Sequence, residues 1–213
     1  MSKSLLIIGG GGHASVLIDI LRQQKREIVG IVSPQAVAES NVFEGINVFL
    51  KDEDVFEFDK SSIKLVNGIG PMPKNDLRAI IFSKFKAIGY EFETVVSDNS
   101  IISLYANLEE GVQVLPGAII QTDALIGANS IINSGAIIEH GCIIGRNNHI
   151  APGATLSGQV HTRESVHVGT GASVIQNINI ERDVVIGAGA IITSDVEPRT
   201  ICYPARAVRK VIK

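Results

Sequence analysis

Counting by six from Ile102 meets Leu108, Val114, Ile120, Ile126, Ile132, Ile138, Ile144, Ile150, Leu156, Thr162, Val168, Val174, Ile180, Ile186 and Ile192. Only Thr162 is not aliphatic, and the register never slips. A period of six is neither the 3.6 of a helix nor the alternation of a single strand. It is the period of a parallel β-helix whose turns stack on one another. Three residues after each anchor stands Gly, Asn or Asp at thirteen of sixteen positions. These residues tolerate a left-handed backbone, so this column is read as the corner. The next column, with Ala106, Ala118, Ala136, Cys142, Ala154, Ala172 and Ala190, is small and should point inward. The column two after the anchor holds Thr122, Ser134, His140, Arg146, Glu164, Gln176 and Arg182, and should face out. Three hexads close one triangular coil, so residues 18 apart should stack.

Upstream of residue 98 the pattern changes. Residues 5–8 read as a strand ending in four glycines, 13–24 as a helix, 28–32 and 63–66 as strands, 75–88 as a second helix, and 94–96 as a fourth strand. Strands alternating with helices imply a small parallel α/β unit. The expected organisation is a Rossmann-like domain over 1–97 and a β-helix with a basic tail over 98–213. Residues 34–61 are acidic and give no clear element.

A net charge of −3 argues against nucleic-acid binding. The apolar runs are too short to span a membrane, and the N-terminus is too poor in apolar residues for a signal peptide. The two cysteines give neither a disulfide framework nor a zinc spacing. The natural setting is the cytoplasm.

The turn Gly9-Gly10-Gly11-Gly12-His13-Ala14 lies between a strand and a helix, where glycines let an anion approach and helix N–H groups can hold it. A dinucleotide fingerprint also wants an acidic residue after the second strand, and here Ser33-Pro34 stands there. A single nucleotide, such as that of a nucleotide sugar, fits better than NAD; a plain structural turn is the other reading. His140, in the outward column, follows Glu139 and has Gly158 as its neighbour one coil on, which leaves space beside the ring. It suits a general base; from position alone an ordinary surface histidine is the more common case. His149 and His167 are 18 apart and should stack, with His161 near in sequence, so a metal shared between subunits is a rival reading. Cys142 falls in the inward column and reads as a core thiol.

The glycine turn, the hexads and the stretch from Asn133 through Glu139-His140 to His149-Ile150-Ala151-Pro152-Gly153 together resemble a family of bacterial sugar acyltransferases. It includes the bacillosamine-pathway N-acetyltransferases and the sialic-acid O-acetyltransferases, and the resemblance covers essentially the whole chain. It implies that the coil is a left-handed parallel β-helix and that the chain is a homotrimer with active sites between subunits. The implied reaction is acetyl-CoA-dependent acetylation, without a metal, of the C4 amine of a UDP-4-amino-4,6-dideoxy-N-acetylhexosamine in glycan biosynthesis. The alternative is O-acetylation of sialic acid.

By the same resemblance His140 is the base and Asn133 orients the acceptor; Glu139, just before the base, or a water is left to orient the imidazole. His149, Gly169, Thr170, Ala188 and Arg206 fall where acetyl-CoA binds. Gly10, Gly11, Gly12, His13, Ser33 and Gly70 fall where the nucleotide binds. The chain departs from the family pattern at Gly141, where a carboxylate can follow the base, at Ser33-Pro34, and at Tyr203 before Pro204-Ala205. Beyond acyl transfer, a metal-dependent hydratase and a non-enzymatic scaffold remain as readings from other classes.

Overall fold

The computed structural model describes residues 3–35, 37 and 40–205. Its first part is a parallel sheet built from β1 (Ser4–Ile8), β2 (Ile28–Val32), β3 (Val48–Phe49) and β4 (Ile63–Asn67) in the order β3-β2-β1-β4. Helix α1 (Gly12–Gln23) covers one face and α2 (Leu77–Ile88) the other. The alternation of β1 explains this: Leu5 and Ile7 pack with Leu17, Ile18 and Leu21, while Leu6 and Ile8 pack with Ile81 and Phe85.

Two sequence expectations are corrected. The fourth strand of this sheet is β3, inside the segment with no clear element; two residues are too few to carry an alternation. Residues 94–96 do not join the sheet. Val95–Val96 pairs in parallel with Gln113–Val114 of the coil, because Val96 stands six before Ile102 and is itself an anchor.

From there the chain winds through three parallel sheets of seven, six and five short rungs, the architecture of a left-handed β-helix. Partners are 18 residues apart, as in Ile131↔His149 and His149↔His167. Fourteen of the sixteen corner residues, all except Tyr105 and Asp195, have φ between 58° and 74°. Gln159 and Ser165 adopt it too, each against a steric cost of roughly 1–2 kcal/mol, so the stacking outweighs local preference there. After Ile192 the register shortens: Val185 pairs with Ile201, only 16 residues on.

The aliphatic anchors and the small column form one continuous core. Thr162, the break in the anchor column, is explained by Asn148, a buried amide in the small column. Asn148 Nδ2 donates to Thr162 Oγ1 at 2.6 Å and to the Arg163 carbonyl at 3.0 Å. Its Oδ1 accepts the Val166 N–H at 2.6 Å. Thr162→Val should therefore strand one buried N–H and cost about 1–3 kcal/mol in urea unfolding. Thr162→Ser, which keeps the acceptor, should cost clearly less.

Candidate active site

At the end of β1, Gly9 turns with φ of 98° and Gly11 takes the N-cap position of α1, with no side chain capping the helix. A Cβ on Gly11 or Gly12 would meet nothing within 4 Å, so this turn faces open space. Gly10 sits at the floor, where a Cβ would come 3.1 Å from Ser33 Oγ. A Cβ on Gly70 would come 3.4 Å from that of His13. Ser33 is buried and donates to the Gln35 carbonyl at 2.9 Å. Gly10, Gly11, Gly12, His13, Ser33 and Gly70 thus gather around one turn.

His13 ties this turn to the coil. Its Nε2 lies 2.7 Å from Gln113 Oε1, while Gln113 Nε2 donates to the Asn67 carbonyl at 2.8 Å. That second bond fixes the amide, so His13 carries its proton on Nε2. Burial, followed by the Arg78 charge, lowers its pKa to about 4 against the bond to Gln113, and the ring is neutral at physiological pH.

Arg78 is buried at the start of α2. Nη1 donates to the carbonyls of Asn67 (2.8 Å) and Ile69 (3.0 Å), and Nε to that of Asn129 (3.2 Å). Burial lowers its pKa to about 9, which leaves it charged. Gln113, Asn67 and Arg78 were invisible to sequence reasoning, because only the docking of sheet on coil brings them together.

Beyond this junction, residues 71–76 overhang the coil and enclose a cleft of about 380 Å³ lined also by Arg78, Asn147, His149 and His167. Asn133 Nδ2 lies 3.0 Å from His149 Nε2, and His149 Nδ1 lies 3.2 Å from His167 Nδ1. Burial, followed by the charges of His167, His13 and Arg78, lowers the His149 pKa to about 3, and burial lowers that of His167. Asn133 and Ser134 begin the adjoining coil edge, along which Gly169, Thr170 and Ala188 follow at 18-residue steps. The bonds Gly153 N–H to Ser134 carbonyl (3.0 Å) and Gly189 N–H to Thr170 carbonyl (2.8 Å) hold that edge together. Thr170 and Ala188 are exposed. Arg206 lies outside the described residues.

His140 is exposed on a different edge, where the rung Ile137–Ile138 turns toward Ile143–Ile144, whereas His149 belongs to the third sheet. One chain therefore does not bring His140 to His149 or His13. Its imidazole lies over Gly158, where a Cβ would sit 2.6 Å from both Cε1 and Nε2. Glu139, just before it, is half-buried. At Gly141 a Cβ would come 3.3 Å from Gln159 Cγ, so the next coil crowds the place where a carboxylate could stand. Cys142 is a core residue whose thiol pKa is raised by burial. His161 stands in another sheet from His149 and His167. Among the described residues no three His, Cys, Asp or Glu converge as metal ligands.

Comparison with known proteins fits this layout. Residues 4–85 match the PglD N-terminal domain, and residues 123–158 match the bacterial transferase hexapeptide (six repeats) family. No curated protein matches by sequence. PerB of Caulobacter crescentus, solved with CoA and GDP-perosamine, is 32% identical over 93% of this chain and 92% of its own, with a TM-score of 0.82. The chain belongs to the left-handed β-helix sugar acetyltransferases. A histidine-to-asparagine mutant of the Caulobacter perosamine N-acetyltransferase is 30% identical over 94% and 93%, with a TM-score of 0.83. The acetyltransferase domain of PglB from Neisseria gonorrhoeae, in complex with acetyl coenzyme A, is 25% identical over 98% and 100%, with a TM-score of 0.85. Like these relatives the chain is an acetyltransferase, and no helix among its described residues is long and apolar enough to cross a membrane.

Proposed function

We propose that this acetyltransferase moves the acetyl group of acetyl-CoA to the C4 amine of a UDP-linked 4-amino-4,6-dideoxy-N-acetylhexosamine, in the cytoplasm. The observation that carries the reading is the join between two ligand surfaces. The open glycine turn is tied through His13 and Gln113 to the coil face that bears His149. A nucleotide handle held at the turn leaves its sugar over the coil.

Gly10, Gly11, Gly12, His13, Ser33 and Gly70 hold the nucleotide. His149, Gly169, Thr170 and Ala188 face the cosubstrate. His140 removes the proton from the amine as nitrogen attacks the thioester carbon. A C–N bond forms, the C–S bond breaks, and the departing thiolate regains the proton from the imidazolium. Since His140 and His149 lie on different sides of the coil, a site using both needs two copies of the chain. The sheet face whose two ends carry Ile101 (66% exposed) and Ile191 (72% exposed) offers apolar surface for a further copy, which is compatible with the trimer proposed here.

Gly158 seats the base. It is the only glycine in its column, and its backbone is outside the left-handed region, so no backbone demand explains it. Gly158→Ala should keep the fold and displace the imidazole. Turnover should fall about 10- to 100-fold, since an ångström of misplacement can cost that much, as read from thiol release beside an unchanged melting curve.

A GDP-linked amino sugar is the second reading, favoured by the relatives solved with GDP-perosamine. Titration calorimetry of the full chain with UDP and with GDP decides between them. Tighter binding of UDP supports the first reading, and tighter binding of GDP replaces it with the second.

A further inference from the structure

We propose that His167 is a catalytic hydrogen-bond donor, its neutral Nε2–H presented to the carbonyl oxygen of the bound acetyl thioester, and that Asn133 and His149 are the positioning residues that set its tautomer. The inference rests on the acetyltransferase reading and adds a residue to that site.

Asn133 sets the first proton position. Its Oδ1 accepts the Ser134 N–H at 2.8 Å, which fixes the amide and turns Nδ2 toward His149. An amide NH₂ can only donate, so His149 Nε2 must offer a lone pair. A neutral His149 then carries its proton on Nδ1 and donates it to His167 Nδ1. His167 Nδ1 is thereby an acceptor, and its proton resides on Nε2. Burial keeps both rings neutral, His149 being only 8% exposed. A charged pair would place two protons in the 3.2 Å gap between the Nδ1 atoms.

Both His149 nitrogens are spent within the chain, so His149 cannot donate to a ligand. The free donor is His167 Nε2–H, on the half-exposed ring that lines the cleft. His167 opens the rung that ends at the Gly169–Thr170 corner, the same edge that Asn133 occupies two coils earlier. A fixed N–H without acceptor character suits an oxygen that gains negative charge as the thioester is attacked. It stabilises that charge without having to reorient during the reaction.

Two measurements on the full chain test this. Nitrogen-15 NMR of the histidine side chains should show His149 protonated on Nδ1 and His167 on Nε2. Asn133→Asp, which puts an acceptor where the amide donated, should move the His149 proton to Nε2 and reverse both tautomers. In steady-state kinetics His167→Phe should lower kcat about 100-fold, in the range for loss of one oxyanion donor, with the KM for the nucleotide sugar little changed. His167→Gln, whose amide can supply an N–H, should recover most of that loss. A His167 protonated on Nδ1 in the wild type, or a His167→Phe enzyme with wild-type kcat, would overturn the proposal.

A ketone analogue of acetyl-CoA, with CH₂ in place of the thioester sulfur, separates the two levels of the reading. If it binds and leaves the His167 Nε2 signal unmoved, the His167 assignment fails alone. If it does not bind, the acetyltransferase site fails, and this proposal with it.

Discussion

With His140 replaced by alanine, acetyl transfer should slow by about 10²- to 10⁴-fold, the usual contribution of a positioned general base. The midpoint of urea unfolding should stay where it is. The exposed imidazole lies over a glycine and fills no core, so its removal leaves no cavity. Thiol release beside urea unfolding checks both halves. A loss of stability parallel to the loss of rate would mean that the ring supports the coil, and full activity would remove His140 from the chemistry. Gly158→Ala should give a smaller version of the same result, because it moves the ring instead of deleting it.

The second large effect is acid lability. The folded pKa values of His13 (about 4) and His149 (about 3) lie below the unfolded value of 6.5. As pH falls below 6.5 the unfolded chain therefore takes up protons that the native chain refuses. The stability these rings allow is complete above pH 6.5 and is lost progressively toward their folded values. Each such proton changes stability by about 1.4 kcal/mol per pH unit. Two rings give a slope of about 2–3 kcal/mol per unit between pH 6.5 and 5, a window above the carboxylate range. The groups facing them set the effect. Arg78 lies near both, and His167 stands against His149, so a proton on either ring meets positive charge as well as burial. Urea unfolding at pH 7, 6 and 5 measures the slope, and His13→Gln should roughly halve it. A flat profile would mean that the rings titrate normally, and with it would go the neutral pair on which the His167 donor depends.

Much of this molecule was legible because a hexad repeats a local rule. Anchor, corner and inward column could each be read by counting, and the corner φ values follow the Gly/Asn/Asp column closely enough to carry Gln159 and Ser165 with them. Thr162 looked like a blemish in the count and became meaningful only with Asn148 facing it across the core. Gly158 was legible for the same reason as the anchors: 18-residue stacking puts it beside His140. The glycine turn was legible as a strand–turn–helix junction.

What counting could not reach is whatever depends on two parts meeting. The two-residue strand β3 has no period of its own. Val95–Val96 sits where the α/β pattern hands over to the coil, and only its pairing with Gln113–Val114 decides its side. Gln113 looks like any polar residue in a repeat until His13 arrives over it. Arg78 looks like a surface residue of an amphipathic helix, yet it is buried against three backbone carbonyls of Asn67, Ile69 and Asn129. The stacking of His149 on His167 could be counted, and the tautomers could not, because they depend on the amide of Asn133.

The measurement that bears most directly on the central claim is thiol release from acetyl-CoA by the full chain. The acceptors would be a nucleotide-linked 4-amino sugar, the same amino sugar freed of its nucleotide, and sialic acid. Turnover confined to the nucleotide-linked amine is the expected result. It would show that the glycine turn and the coil act as one site. Equal turnover of the free amino sugar, or turnover of sialic acid instead, would contradict the account and leave the turn around Gly10–His13 without its role.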